Sequence, residues 1–238
     1  MSLDLKKIQE GEVLLIDKPL DWTSYQVVNK VKYAVQHKLK IKNFKIGHAG
    51  TLDPRATGLL ILGTGKCTKL LESIQAGQKT YTGTFLLGAT TPCYDTERPV
   101  DKEYPWEHIT PEILENARQQ FLGEIDQIPP VFSAIKVDGK ALYKDAHKGK
   151  EQETPAARRV QIFDFQIFTE NLPTVGFRVE CSKGTYIRSL AHDFGQACTS
   201  GAYLTTLRRE ASGEYDVANA WKLEDLIEEI KNAALLAE

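Results

Sequence analysis

Cysteine is scarce in this chain of 238 residues: Cys67, Cys93, Cys181 and Cys198 stand far apart, with no CxxC pair and no Cys/His cluster at zinc spacing. A disulfide framework and a structural zinc site are thereby excluded, and the thiols read as small buried hydrophobes in a reducing compartment. Long apolar runs are missing too. Leu59–Leu62 is bounded by glycine on both sides, far short of the roughly 20 residues that span a bilayer. The opening MSLDLKKIQEGE lacks the apolar h-region of a secretory signal, so the expected location is cytoplasmic, away from any membrane. Nucleotide-binding glycine loops fail as well. GTGKCT (Gly63 to Thr68) has Leu60 where a P-loop needs its first glycine, Cys67 where Ser or Thr should follow the lysine, and Thr68 at the third glycine of a dinucleotide fingerprint. No nucleotide cofactor is expected. Internal repeats and low-complexity linkers are absent, and no composition break marks a domain boundary, so residues 1–238 read as one domain.

What remains is an ordinary globular composition, 42% apolar and 26% charged, with a net charge of only −2. The charge is unevenly spread. Between Trp22 and Leu52 no acidic residue occurs, while Lys30, Lys32, Lys38, Lys40, Lys42 and Lys45 all do. Residues 214–238 hold seven acids against two lysines. A basic face can therefore persist on a nearly neutral chain; a solvated lysine-rich helix face is the plainer alternative.

Periodicity predicts mixed elements. EVLLIDK reads as a short strand, and Thr23 or Ser24 caps a helix with Val27, Val28, Val31, Ala34 and Val35 on one face. GLLILG reads as a buried strand and KCTKLLESI as a short helix. KTYTGTFLLG alternates as a strand with Tyr81, Gly83, Phe85 and Leu87 on one side. Thr110 and Pro111 open a helix stopped by Gly123. RVQIFDFQIF and TVGFRVEC alternate as paired strands, and YIRSLAHDFGQAC and LEDLIEEIKNAALLA are amphipathic helices. Strands joined by hairpins with helices interspersed predict an α+β fold around a mixed, mainly antiparallel sheet flanked by helices and loops.

The most concentrated chemistry lies in GHAGTLDPRATG, Gly47 to Gly58. An Asp-Pro pair is ordinarily a turn, its carboxylate capping nearby amides. Here, however, Gly47 and Gly50 permit close backbone approach, and His48 and Arg55 set two candidate anion partners around one acid, Asp53. A loop fed into a buried strand, with one carboxylate amid cations, is a common setting for catalysis.

This segment has company in a fixed order: LLIDKPLDWTS, GHAGTLDPRATGLLILGTGKCTK, KTYTGTFLLGATT followed by Asp95, IPPVFSAIKVDGKALY, CSKGTYIRSL and YLTTLRREASG. Together they resemble the tRNA pseudouridine synthase B family, which isomerises the uridine at position 55 in the TψC loop, and the resemblance runs from about Gly11 to Leu226. It implies a pseudouridine synthase fold and a catalytic set of Asp53, Tyr81 and Arg188. Asp53 is the implied nucleophile, Tyr81 the ring that stacks on a flipped-out uridine, and Arg188 the guanidinium beside the carboxylate, with Asp95 as a second acid on it. His48 is implied to fill the space the flipped nucleotide leaves. Lys18 matches the first motif near the site, and Leu207 packs near the uracil. Lys136 and Lys140 belong to a segment, Lys136 to Arg159, that resembles a loop closing over the T-arm. Reactant and product are isomers, so the resemblance implies no cofactor and no metal; the partner is tRNA through its T-arm, bound by a monomer. Three routes stay open for the carboxylate: addition at C6, attack at C1′, or assistance to a glycal.

Two departures from the family pattern stand out. Asp21 replaces a glycine usual in the first motif, and a C-terminal RNA-binding PUA domain, present in most bacterial members, is not expected here. Two other readings share some of these features. A guide-dependent relative working in a ribonucleoprotein has similar motifs, and a noncatalytic RNA-folding protein would use the basic face but has no need of Asp53.

Overall fold

The computed structural model describes residues 3–132, 136–137, 140–141 and 155–234, and the chain falls into two compact units, Met1–Tyr81 with Arg208–Glu238, and Thr82–Leu207. The first unit opens with α1 (Leu5–Glu10), whose amides at Lys6 and Lys7 donate to the Asp4 carboxylate at 3.0 and 3.2 Å. β1 (Val13–Lys18) alternates as predicted, burying Leu14, Ile16 and Lys18. α2 (Ser24–Leu39) starts in a capping box between Thr23 and Gln26 and buries Val27, Val28, Val31 and Val35; Ala34, expected on that face, is half-buried. It ends where Lys40 turns left-handed at φ 54°.

β2 (Ile46–Ala49) and β3 (Ala56–Thr64) form an antiparallel hairpin, paired from Ile46↔Thr64 to Ala49↔Ile61. β3 also runs antiparallel to β1, from Val13↔Gly63 to Lys18↔Gly58. Leu59 to Leu62 are wholly buried on both faces of that strand, which is why its sequence is a continuous apolar run rather than an alternation. The segment read as one short helix divides into a 3₁₀ turn (Gly65–Leu70) and α3 (Leu71–Ala76). β4 (Lys79–Leu87) then carries the chain from the first unit into the second at Tyr81.

In the second unit β4 buries Phe85 and Leu87, and a two-strand ladder joins β5 (Ala89–Thr90) to β6 (Lys102–Glu103). α4 (Pro111–Gln120) has Thr110 as its cap, with proline in its first turn. β7 (Gly123–Gln127) follows. Two short strands, β8 (Lys136–Val137) and β9 (Lys140–Ala141), pair with each other. β10 (Arg158–Asn171) and β11 (Thr174–Cys181) form the long hairpin expected from their alternation, and the sheet runs in the order β4, β11, β10, β7. α5 (Ile187–Ala197) lays its apolar face on this unit's core, where Phe194 meets Phe85 at 5.0 Å and Phe165 at 5.8 Å between ring centroids.

β12 (Ala202–Ser212) returns the chain to the first unit after Leu207. It pairs with β13 (Tyr215–Asp216), while β14 (Trp221–Lys222) adds parallel to β1 and α6 (Leu223–Asn232) packs on α2. Both crossings between units fall inside strands rather than linkers, so composition carries no sign of them. The expected α+β class, with mainly antiparallel strand pairing flanked by helices, is what the chain adopts.

Candidate active site

Asp53 lies in the loop of the β2–β3 hairpin, so two paired strands, of which β3 is buried, fix both of its ends. The loop's own geometry is held from three sides. Within it, the Ala56 amide donates to the Asp53 carbonyl at 3.1 Å, closing the turn that Pro54 initiates. Behind it, Ser24 at the start of α2 receives the Leu52 amide at 2.9 Å and donates to the Leu52 carbonyl at 3.0 Å. Alongside, the Asp21 amide donates to the Pro54 carbonyl at 2.9 Å, and the Asp21 carboxylate accepts from Arg55 at 2.8 Å. Asp21 itself sits at φ 62°. That left-handed conformation accounts for a family preference for glycine there; aspartate tolerates it better than most residues and gains the Arg55 contact.

Lys18, which the resemblance places near the site, lies inside the first unit. Burial is complete, and Nζ donates to the carbonyls of Pro19 at 2.9 Å and Trp22 at 2.6 Å. It braces the turn that carries Asp21 and leads into α2 from inside. Burial pushes its ammonium down to about 8, partly countered by the carboxylates of Asp53 and Asp21 and reinforced by Arg209. The sign of the linkage follows: between about pH 8 and pH 10.5 the unfolded chain binds a proton that the folded chain has released. Stability should therefore rise across that window by up to about 3 kcal/mol, and Lys18→Met should remove the rise. Urea unfolding of both proteins from pH 7 to 10.5 measures it. A wild-type curve no steeper than the variant's would count against the buried ammonium.

His48 lies on β2 opposite Leu62. Burial, with Arg209 second, lowers its pKa, which keeps the ring neutral at physiological pH, and its buried Nδ1 has no hydrogen-bond partner among the described residues. Tyr81 is buried at the last position of the first unit. The unit also holds contacts that sequence reasoning missed. Arg208 grips Asp17 with both terminal nitrogens at 2.9 Å, across 191 positions of chain. Arg209 is buried and donates to the carbonyls of Leu59 and Gly50. The consecutive arginines of YLTTLRREASG were the only sequence signal.

The second unit brings Asp95 and Arg188 together. Arg188, in the first turn of α5, has Nε 3.7 Å from Asp95 Oδ2, and both side chains are about 5% exposed. One terminal nitrogen donates to the carbonyls of Cys93 at 3.3 Å and Phe132 at 3.0 Å. Asp95 Oδ1 accepts from the Glu97 amide at 2.9 Å and from the Cys93 thiol at 3.0 Å. Burial, then Asp95, holds that thiol in its protonated form. The segment is seated by the Leu204 amide, which donates to Tyr94 at 2.9 Å. Leu207 is half-buried on β12.

The basic features divide. Lys30 is 3.9 Å from Glu224, and Lys38 donates to the Lys231 carbonyl at 2.7 Å, both on α6. Lys40, Lys42 and Lys45 are exposed. Arg159 pairs with Asp126 and Glu124 at 3.1 and 3.6 Å, so its charge is already matched. Lys136 and Lys140 sit on the paired strands β8 and β9; their side chains, like Lys144, Lys148 and Lys150, lie outside the described residues.

A loop carboxylate backed by buried cations invites comparison with proteins of known identity. Residues 36–187 match the family model described as TruB family pseudouridylate synthase, N-terminal domain, and residues 188–237 match the tRNA pseudouridylate synthase B C-terminal domain. The boundary between the two models falls at Arg188, away from either crossing between the compact units. The protein called tRNA pseudouridine synthase B from Flavobacterium johnsoniae is 57% identical over 212 residues, covering 89% of this chain and 92% of its own. Its namesake from Phocaeicola vulgatus is 51% identical over 220 residues, covering 92% and 93%. Among solved structures, a chain in the crystal structure of a Cbf5-Nop10-Gar1 complex superposes with a TM-score of 0.70 at 27% identity. The match takes in 95% of the present chain but 56% of that one. Among the described residues no helix is long and apolar enough to cross a membrane.

Proposed function

The chain belongs to the TruB family of pseudouridylate synthases, and on that premise we propose that it is the isomerase that converts the uridine at position 55 of tRNA to pseudouridine, acting in the cytoplasm as a monomer. The observation that carries this reading is identity above 50% to enzymes named tRNA pseudouridine synthase B over about nine-tenths of both chains. The guide-dependent alternative is disfavoured by the same figures, since likeness to the Cbf5 complex is half as strong in identity and leaves much of that chain unmatched.

The reaction breaks the N1–C1′ bond, joins C1′ to C5, moves the C5 proton to solvent and leaves a proton on N1. Nothing is oxidised or reduced. Asp53 acts as the nucleophile, and the loop fixes it at a rigid position where a substrate must come to it. The base leaves its stack to do so, which costs a few kcal/mol. Tyr81 offsets part of that by stacking on the flipped uracil, worth about 1–3 kcal/mol, with Leu207 on the base and neutral His48 filling the gap left in the RNA. Arg188, held by Asp95, is assigned to the catalytic set by the family resemblance. Tritium release from a T-arm hairpin labelled at C5 of the target uridine tests the activity directly. A hairpin bound without release would sink it.

Exposed Lys40, Lys42 and Lys45 and the lysines of the 136–150 segment contact phosphates on the T-arm. Affinity should then fall linearly in log–log form with salt, by about 0.7–0.9 per phosphate contact. Hairpin titrations between low and moderate salt measure the slope. A flat response would remove the electrostatic part of the account.

A further inference from the structure

Arg209 is 1% exposed, and among the described residues no carboxylate forms an ion pair with its guanidinium. A buried cation without an acid is costly, and an apolar side chain of similar volume would fill the same space without that cost. The guanidinium's donors show what it is used for. Nε donates to the Leu59 carbonyl at 2.7 Å and a terminal nitrogen to the Gly50 carbonyl at 3.0 Å. Gly50 opens the loop that contains Asp53, and Leu59 lies within β3, the strand that follows it.

We propose that Arg209 is a positioning residue: a staple that ties the entry of the Asp53 loop and the strand that follows it to one planar group and so fixes where the carboxylate points, without touching RNA. The inference rests on the reading of Asp53 as the nucleophile. The surrounding backbone is shaped for this contact. Gly50 sits at φ 84°, and a Cβ there would be 3.4 Å from the guanidinium. Gly58 sits at φ 97°, and a Cβ there would be 2.3 Å from the Arg209 carbonyl, so β12 presses directly against the start of β3, just after the loop. Ser24 and Asp21 hold the loop through Leu52 and Pro54; Arg209 links its first residue, Gly50, to β3. A planar fork holds its donors in a fixed geometry toward two acceptors, where an ammonium is a compact charge on a flexible stem. Its charge also reaches Lys18 and His48, where it opposes protonation.

The test is Arg209→Lys, which keeps the charge, alongside Arg209→Gln, which keeps a donor without it. Three quantities are read for each: single-turnover tritium release, hairpin Kd, and hydrogen exchange of the amides at positions 51–57. Both variants should lose about tenfold to a hundredfold in rate, the scale of a misplaced catalytic group. Kd should stay within about twofold, and faster exchange should be confined to the loop. Rates near wild type in Arg209→Lys, or Kd weakening in step with rate, would overturn the staple. If the wild type released no tritium, the functional reading would fall, and the exchange pattern alone would decide for or against Arg209 as the loop's clamp.

Discussion

Asp53→Asn is expected to bind an unmodified T-arm hairpin with near wild-type affinity and to release tritium from C5 at least about 10⁴-fold more slowly, the scale of removing a nucleophile that acts with its neighbours as a unit. The substitution is nearly isosteric, and it leaves in place the bonds that hold the loop's backbone. Ala56 takes the Asp53 carbonyl, Ser24 takes Leu52, and the Asp21 amide takes Pro54. Fold and binding should survive, so the loss should fall on the chemical step. A second signature accompanies it. Asp53 is the largest influence raising the Lys18 pKa against burial, so in Asp53→Asn the Lys18 ammonium should titrate lower than about 8. Measurable release by the variant, above about a hundredth of wild type, would mean that another group does the chemistry.

How much of this could be read beforehand depends on where each residue's partner lies in the chain. The Asp53 loop was legible because glycines, proline and a buried strand sit within a dozen residues, where turn chemistry and strand burial act locally. Lys18 was half legible. The alternation that buries Leu14 and Ile16 places position 18 on the same face, but a lysine at the end of a strand is more often solvent-facing, and the carbonyls of Pro19 and Trp22 help make its burial tolerable. The Asp17–Arg208 fork and the Arg209 contacts were not legible, because pairings across more than a hundred positions leave no periodic trace. The two compact units were hidden for a related reason. Strands β4 and β12 run through the boundary, and a strand passing between units has the composition of any other strand. The lysine run was legible as charge but not as partners, since Glu224 and the Lys231 carbonyl come from α6, near the other end of the sequence.

The largest stability effect should come from Arg188→Met. Arg188 and Asp95 are both about 5% exposed, and breaking a buried pair by removing one member leaves the other charge uncompensated, at about 3–5 kcal/mol. Met restores volume but none of the donors. Among the described residues Asp95 would keep the Glu97 amide and the Cys93 thiol, and the carbonyls of Cys93 and Phe132 would lose a shared donor. Arg188→Lys should fall between, because one ammonium can replace the charge but not the geometry that reaches a carboxylate and two carbonyls. Urea unfolding gives the magnitudes, and a cycle with Asp95→Asn separates the causes. If the penalty is a stranded carboxylate, Asp95→Asn combined with Arg188→Met should be more stable than Arg188→Met alone, because the charge that needed the guanidinium is gone. If the double variant is instead less stable than either single one, the loss lies in the backbone acceptors and not in the ion pair. If Arg188 belongs to the catalytic set, turnover should vanish in Arg188→Met and stay absent in the double variant, since recovering stability by neutralising Asp95 does not return the guanidinium.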